Sequence, residues 1–511
     1  MKYIGPFFRM NSLSIEEITG QLFHLSKEAI KTITLNSKCG IVSSFRTSKK
    51  SHSNNDISIL SNFSPVLCLY KKSSSNYIHN KNSCSFDQSS FRKTINPTTN
   101  ALMTLSLIEL SDYYTNYTAL SRGTNSLEKP YSVLAKKQLE FYSNNLRNSE
   151  GVFVEKKNLS DNSSKGYNLI DNKSSFKFSD QAFMMNAYYI YALYNKDDSV
   201  SEDYKNFALE ILDMIYDYKD ELYNNSFDEC CHVLLALNIL FDYEPLEKCE
   251  SLIIDLSDLL INKFEEKDYY TSSVDYCALL DINLYEAYKH TNILYFKEKG
   301  IEIIDKLESM YDSNKGIFIK ASDKKDVKYS SLEICFYFLS LIIYSSEYDN
   351  KITYNNMISN LYRRVIVNSG IICSWPEAPT LDEIERYKKL SLNSEDMINE
   401  LFFRMPNTPT PESTGLAPVF VKNINYSRKK DSFSINKTSF DSNKNMLIFY
   451  SFIHYLRNFV EDYMDFNEPI NSNSSEEINE NNNTNNNDTE IKSLNDETLS
   501  IENNIEIDSD V

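Results

Sequence analysis

The chain has 511 residues, 41% of them hydrophobic with 36 Tyr and 29 Phe, and a formal net charge of −19. That is enough chain for a large core and for more than one domain. So acidic a balance argues against nucleic-acid partners, whose phosphates ask for the opposite sign.

The charge is uneven. The stretch from Asn467 to Val511 holds twelve Asp/Glu and one Lys, whereas residues 36–98 hold nine Lys/Arg against two Asp/Glu. The basic stretch has no nucleic-acid motif and reads as a polar insertion. The nine cysteines include no CxxC pair, and Cys230, Cys249, Cys277 and Cys335 fall in apolar helical patterns. Buried, reduced thiols in a cytoplasmic protein are expected. The start, Met1 to Pro6, has no signal-peptide core, and no apolar run reaches a membrane span.

In chain order, Ser14 and Glu17 form a capping box, so a helix is expected from there to about Asn36, stopping before Gly40. Residues 42–98 are Ser/Asn-rich and basic around one apolar patch, Ile57 to Tyr70, and read as a long insertion or rim element. Helical patterns follow at Ala101–Tyr114, Lys129–Asn148, Asp180–Tyr194, Ser201–Leu222, Phe227–Tyr243, Pro245–Glu265, Val274–Tyr288, Ile293–Tyr311, Leu332–Ser345, Thr353–Val367 and Met446–Val460. These segments alternate between amphipathic and apolar all round. An all-apolar helix must be buried on most sides, while an amphipathic one keeps a face in water. Strict alternation predicts an inner ring inside an outer ring.

Four of the ten glycines open one recurring phrase: Gly40-Ile-Val, Gly151-Val-Phe, Gly316-Ile-Phe and Gly370-Ile-Ile. At Gly151 and Gly316 the phrase stands between an amphipathic helix, a polar loop and an apolar helix. Helix order and this phrase, over residues 14–464, resemble the (α/α)6 toroid of the six-hairpin glycosidase-like superfamily. The resemblance implies an all-α toroid with short β pieces in its rim loops, spanning residues 1–464 with the insertion at 42–98. It also implies a site on the face where the inner helices begin, as in the superfamily's glycoside hydrolases, sugar epimerases and lyases. Residues 465–511 are low-complexity and are expected to be disordered.

That face should gather Asp180, Asp228, Glu229, Asp275 and Glu333, all at inner-helix starts. Sugar chemistry often uses two carboxylates, one protonated and one ionised. Ser226 with Glu229 and Ser330 with Glu333 also fit capping boxes, and Ser272 with Asp275 nearly does, which explains those carboxylates without catalysis. Asp180 has no such box, so Asp180 is the leading acid/base candidate, although it is equally an N-cap residue. The long loop after Gly370 carries the only tryptophan, Trp375, beside Glu377, with Asp382 and Glu412 further on. Trp375 is a stacking platform for a sugar or a packing anchor, Glu377 a second catalytic carboxylate, and Glu412 and Asp228 substrate-binding groups. Glu229-Cys-Cys-His232 suggests a metal, but neighbouring cysteines point about 100° apart on a helix and make no usual zinc pair. His290 and His454 stand alone in the sequence. No metal or cofactor is expected. The expected partner is a sugar or oligosaccharide, with no nucleic acid or membrane span. The rival expectation is a non-catalytic toroid that binds glycans or a protein partner. A zinc-dependent transferase or cyclase is a third.

Overall fold

The computed structural model describes residues 13–43, 59–80, 83–118, 127–160, 166–172, 176–320, 324–346, 351–379, 408–411, 415–435 and 438–461. Glu412, Asp382 and the acidic tail lie outside them.

Among the described residues, twelve helices are eleven residues or longer. They are α1 (Ile15–Lys31), α2 (Pro97–Thr118), α3 (Glu128–Asn145), α4 (Phe178–Tyr194), α5 (Ser201–Asp217), α6 (Phe227–Tyr243), α7 (Glu247–Glu265), α8 (Val274–Thr291), α9 (Leu294–Ser309), α10 (Ser331–Ile343), α11 (Lys351–Leu361) and α12 (Ser442–Glu461). The even-numbered helices touch one another in sequence, and α12 touches α2, which closes an inner ring. The odd-numbered helices pack around them, α3 on α2, α5 on α4, α7 on α6, α9 on α8, α11 on α10 and α1 on α12. This is the (α/α)6 toroid that the alternation predicts.

Burial follows the same alternation. Helix α4 buries Phe178 through Ala192 without a break, whereas α5 buries only Ser201, Ala208, Ile211, Leu212 and Ile215. An all-apolar ring still has polar ties. Asn186 donates to the Ala236 carbonyl at 2.8 Å, Asn283 to that of Cys231 at 3.0 Å and Asn238 to that of Asn283 at 3.1 Å, so α4, α6 and α8 are laterally bonded inside the core. Helix α1 departs from the outer-ring pattern. It is buried from Ile18 to Ile30 except at Glu28, with the loop after α11 lying on it: His24 Nε2 is 2.8 Å from the Glu377 carbonyl.

Several expected helices end earlier or differently. The backbone at Tyr218 leaves the helical region, so the expected Ser201–Leu222 helix stops at Asp217 and a separate turn covers Lys219–Tyr223. The last turns beyond α1 and α11 are π-helical, at Thr32–Asn36 and Tyr362–Val367. Helix α2 begins four residues before its expected start, with Pro97 as its first residue, where a missing N–H costs nothing.

Every described strand lies in a link that leads into an inner helix. The link before α2 holds β1 (Gly40–Val42), β2 (Val66–Leu69), β3 (Lys72–Ser73), β4 (Tyr77–Asn80), β5 (Ser83–Phe86) and β6 (Thr94–Ile95). The link before α4 holds β7 (Lys156–Asn158) and β8 (Leu169–Asp171), and that before α10 holds β9 (Tyr311–Asp312), β10 (Ile317–Phe318) and β11 (Asp326–Ser330). The link before α12 holds β12 (Asn423–Ser427), β13 (Ser432–Ser434) and β14 (Phe440–Asp441). The pairings are antiparallel and cross between links: β6 with β7, β11 with β12, and β14 with β3. The described part of the basic insertion is therefore knitted into the rim. The glycine phrase has two causes. Gly151 and Gly316 adopt φ of 87° and 62°, where a side chain is strained. At Gly40 a Cβ would sit 1.8 Å from the Cys68 carbonyl oxygen across the β1–β2 pair.

Candidate active site at the inner-helix N-termini

The six inner helices run the same way, so their first turns share one mouth. Their free N–H groups and aligned dipoles favour negative charge there. All five expected carboxylates occupy these first turns: Asp180 on α4, Asp228 and Glu229 on α6, Asp275 on α8 and Glu333 on α10.

Two of them join neighbouring helices by one device. In α4 and α6 the third residue reaches back to the second residue of the inner helix before it. Thr98 N–H and the Thr98 hydroxyl donate to Asp180 Oδ1 at 3.0 and 2.6 Å. Ser179 N–H and the Ser179 hydroxyl donate to Glu229 Oε1 and Oε2 at 2.8 and 3.0 Å. The capping box expected for Ser226 and Glu229 is absent, because Glu229 spends its oxygens on α4. The box of Ser330 and Glu333 is present, and Lys320 Nζ adds an ion pair to Glu333 at 2.8 Å. Ser272 belongs to a separate helical turn, Tyr269–Ser272, and does not cap α8.

Asp180 is 3% exposed, and burial pushes its carboxyl up to about 6 against the help of the Thr98 donors. Burial likewise raises Asp275, with Glu333 adding repulsion, and lowers the Lys444 ammonium on α12. His232 lies one turn into α6, three residues after Glu229 and so on the same face. Its Nδ1 is 2.8 Å from the Asp228 carbonyl oxygen, which makes Nδ1 the donor and leaves a lone pair on Nε2. Burial lowers its pKa, so the ring is neutral at pH 7, with Glu229 and Asp228 pulling the other way. The Tyr276 ring of α8 stands edge-on to it at 6.1 Å. A neutral histidine beside Glu229 and Asp228, and a raised Asp275 carboxyl beside the lowered Lys444, make a proton-transfer environment of this mouth.

The structure does not bring the second expected carboxylate here. Glu377 is exposed, and its carbonyl meets His24 in the middle of α1, an outer helix. Trp375 is 7% exposed and packs edge-on to Tyr362 at 6.4 Å, the arrangement of an anchor that seals the loop onto the toroid. Asp228 is exposed at the mouth. Reading the sequence for carboxylates missed Tyr276 and Lys444, and weighed His232 only as part of a metal motif. The available signal was position: each sits in the first two turns of an inner helix. Cys230 and Cys231 are buried and free, so they supply no thiolate pair to the mouth.

No family model and no curated protein matches the sequence. Among solved structures, a D-mannose isomerase superposes with a TM-score of 0.50 at 10% identity, over 90% of this chain and 100% of that one. A cellobiose 2-epimerase from Bacillus thermoamylovorans gives 0.42 at 11% identity, over 72% of this chain and 88% of its own. A GH76 alpha-mannanase from Bacteroides thetaiotaomicron gives 0.38 at 9% identity, over 73% and 90%. The closed ring of six inner helices and the superposition over 90% of this chain agree: the chain has the (α/α)6 toroid fold.

Proposed function

We propose that the chain is a carbohydrate-active enzyme whose acid/base site lies at the inner-helix N-terminal mouth. The observation that carries this reading is the neutral His232, its Nδ1 committed to the Asp228 carbonyl and its ring flanked by Glu229 and Tyr276. Its free Nε2 lone pair suits removal of a proton from a sugar carbon or from water. Asp228 is the exposed carboxylate beside it and takes hydroxyls, while Asp180 positions the site by locking α4 to α2. The D-mannose isomerase shows that this architecture accommodates sugar chemistry, and the choice among isomerase, epimerase, hydrolase and lyase is left to assay. A second reading, a glycan binder without turnover, is favoured by one observation: Asp180, Glu229 and Glu333 already spend their oxygens on helix ends.

The test is a thermal-shift panel of mono- and oligosaccharides, uronic acids included, followed by product analysis for any sugar that stabilises. The expected result is a shift that His232→Gln and Asp228→Asn both remove, with turnover in the unaltered chain. A shift without turnover selects the binder. No shift across the panel, or one indifferent to both substitutions, overturns the proposal.

A further inference from the structure

The other end of the inner ring holds a second polar cluster. His290 and His454, distant in sequence, both meet Asp242 there. Asp242 is the penultimate residue of α6. Glu286 and His290 are one turn apart on α8, hence on one face, and His290 is the penultimate residue of that helix. One carboxylate oxygen from Asp242, one from Glu286 and a ring nitrogen of His290 lie within 4.8 Å of one another.

The His290 ring supplies the decisive detail. Its side chain is 8% exposed, and Nε2 is buried without a hydrogen-bond partner, 3.6 Å from Asp242 Oδ1. The Asn238 backbone lies beside the ring and favours a proton on its other nitrogen, Nδ1. A buried Nε2 lone pair is thus aimed at a carboxylate. Lone pair and carboxylate repel unless something positive stands between them.

We propose that Asp242, Glu286 and His290 bind a borderline divalent cation of the zinc and manganese class at the C-terminal mouth of the inner ring. The donor set is one imidazole and two carboxylates, with no thiolate, which suits that class better than a soft ion. Helix C-termini carry partial negative charge and favour a cation. Ligand atoms sharing one tetrahedral ion stand ~3.4 Å apart, so the cluster closes by about 1 Å on binding. Two neighbours act as an outer shell. His454 bridges Asp242 Oδ2 at 3.4 Å and Glu109 Oε1 at 2.9 Å, and orients the Asp242 carboxylate. Lys289 holds Glu286 Oε2 at 2.8 Å from a 49% exposed position and swings into solvent when the ion arrives. The ion would tie α6 to α8 at the end of the ring opposite the proposed sugar site.

The test uses the full chain, dialysed against a chelator and titrated calorimetrically with Zn2+ and Mn2+. The expected result is one saturable cation per chain and a rise in Tm of about 3 °C at a hundredfold excess over Kd. Glu286→Gln and His290→Ala should each weaken affinity at least tenfold, and Glu298→Gln on the exposed face of α9 should not. Co2+ added to the unaltered chain gives a readout that survives a misfolded variant: visible ligand-field bands without thiolate charge transfer. Absence of saturable binding means that a proton fills the gap and overturns the proposal. So does affinity that survives both substitutions, or a thiolate signature.

Discussion

Asp281 is a buried carboxyl in the wall of the ring, and replacing it with Asn should change how stability responds to pH. It is 0% exposed on α8, accepts a hydrogen bond from the Ser340 hydroxyl of α10, and burial pushes its pKa up to about 8. In the unfolded chain it titrates near ~3.9. Between those values the folded state holds a proton that the unfolded state has released. Unfolding free energy then falls as pH rises, by ~1.4 kcal/mol per pH unit. From pH 5 to pH 7.5 the loss comes to about 3 kcal/mol. Asp281→Asn keeps the shape and an acceptor for Ser340 but cannot ionise. Urea denaturation of both proteins across that range should show the variant gaining on the parent by about 3 kcal/mol as pH rises. Parallel curves would refute the reasoning, because they would mean that Asp281 ionises as easily in the folded chain as in the unfolded one.

Three further outcomes are expected from equilibrium denaturation. Gly300→Ala on α9 places a Cβ 2.4 Å from the buried Tyr344 hydroxyl; overpacking outweighs the ~1 kcal/mol helix gain and leaves a net loss of about 1–2 kcal/mol, and a stabilised variant would show that Tyr344 moves freely. Burial opposes charge on His454, yet Glu109 and Asp242 hold its pKa up at about 10. His454→Ala takes the imidazolium from Glu109, itself 1% exposed, and leaves it the Tyr243 and Tyr450 hydroxyls, and should cost about 3 kcal/mol at neutral pH. Because the folded pKa is raised, that contribution is complete below pH ~6.5 and fades towards pH 10, so parent and variant should converge in alkali. Asp180→Ala leaves the Thr98 N–H without its acceptor, at about 1–3 kcal/mol, whereas Asp180→Asn retains the acceptor. Since burial raises the Asp180 pKa to about 6, the folded parent ionises this carboxyl at a cost by pH 7, so the Asn variant should match the parent near pH 4 and be at least as stable at pH 7, and equal damage from both would mean that the negative charge itself is needed.

The toroid was legible because its rule is coarse. An apolar helix such as α4 and an amphipathic one such as α5 differ in average character over seventeen residues, and that survives a sequence rich in Asn and Tyr. The first-turn carboxylates were legible for the same reason, since helix starts are locally encoded. What they touch was not. Glu229 looks like a self-contained cap with Ser226, yet it bonds to Ser179, fifty residues away. That choice depends on how closely α4 and α6 approach, which no local pattern records. Trp375 and Glu377 failed to converge on the mouth for a related reason: composition identifies a loop that matters but not the side of the ring on which it lies. His290 and His454 read as lone histidines because the partner they share, Asp242, lies on a third helix, α6, in a ring that closes between α12 and α2 only in the fold.

That closure shapes how the molecule must be made. Strand β3 pairs with β14, and Ser442 N–H donates to the Lys71 carbonyl at 3.0 Å across a separation of 371 residues. A chain emerging from a ribosome can stack α2 to α10 as it appears, but the flank of α2 that belongs to α12 stays bare until the last helix is free. Ring completion thus waits for the last helix and carries a large loop-closure entropy, and the half-built arc exposes apolar helix faces in the meantime. Truncations that stop short of α12 should aggregate during synthesis rather than yield a smaller stable domain.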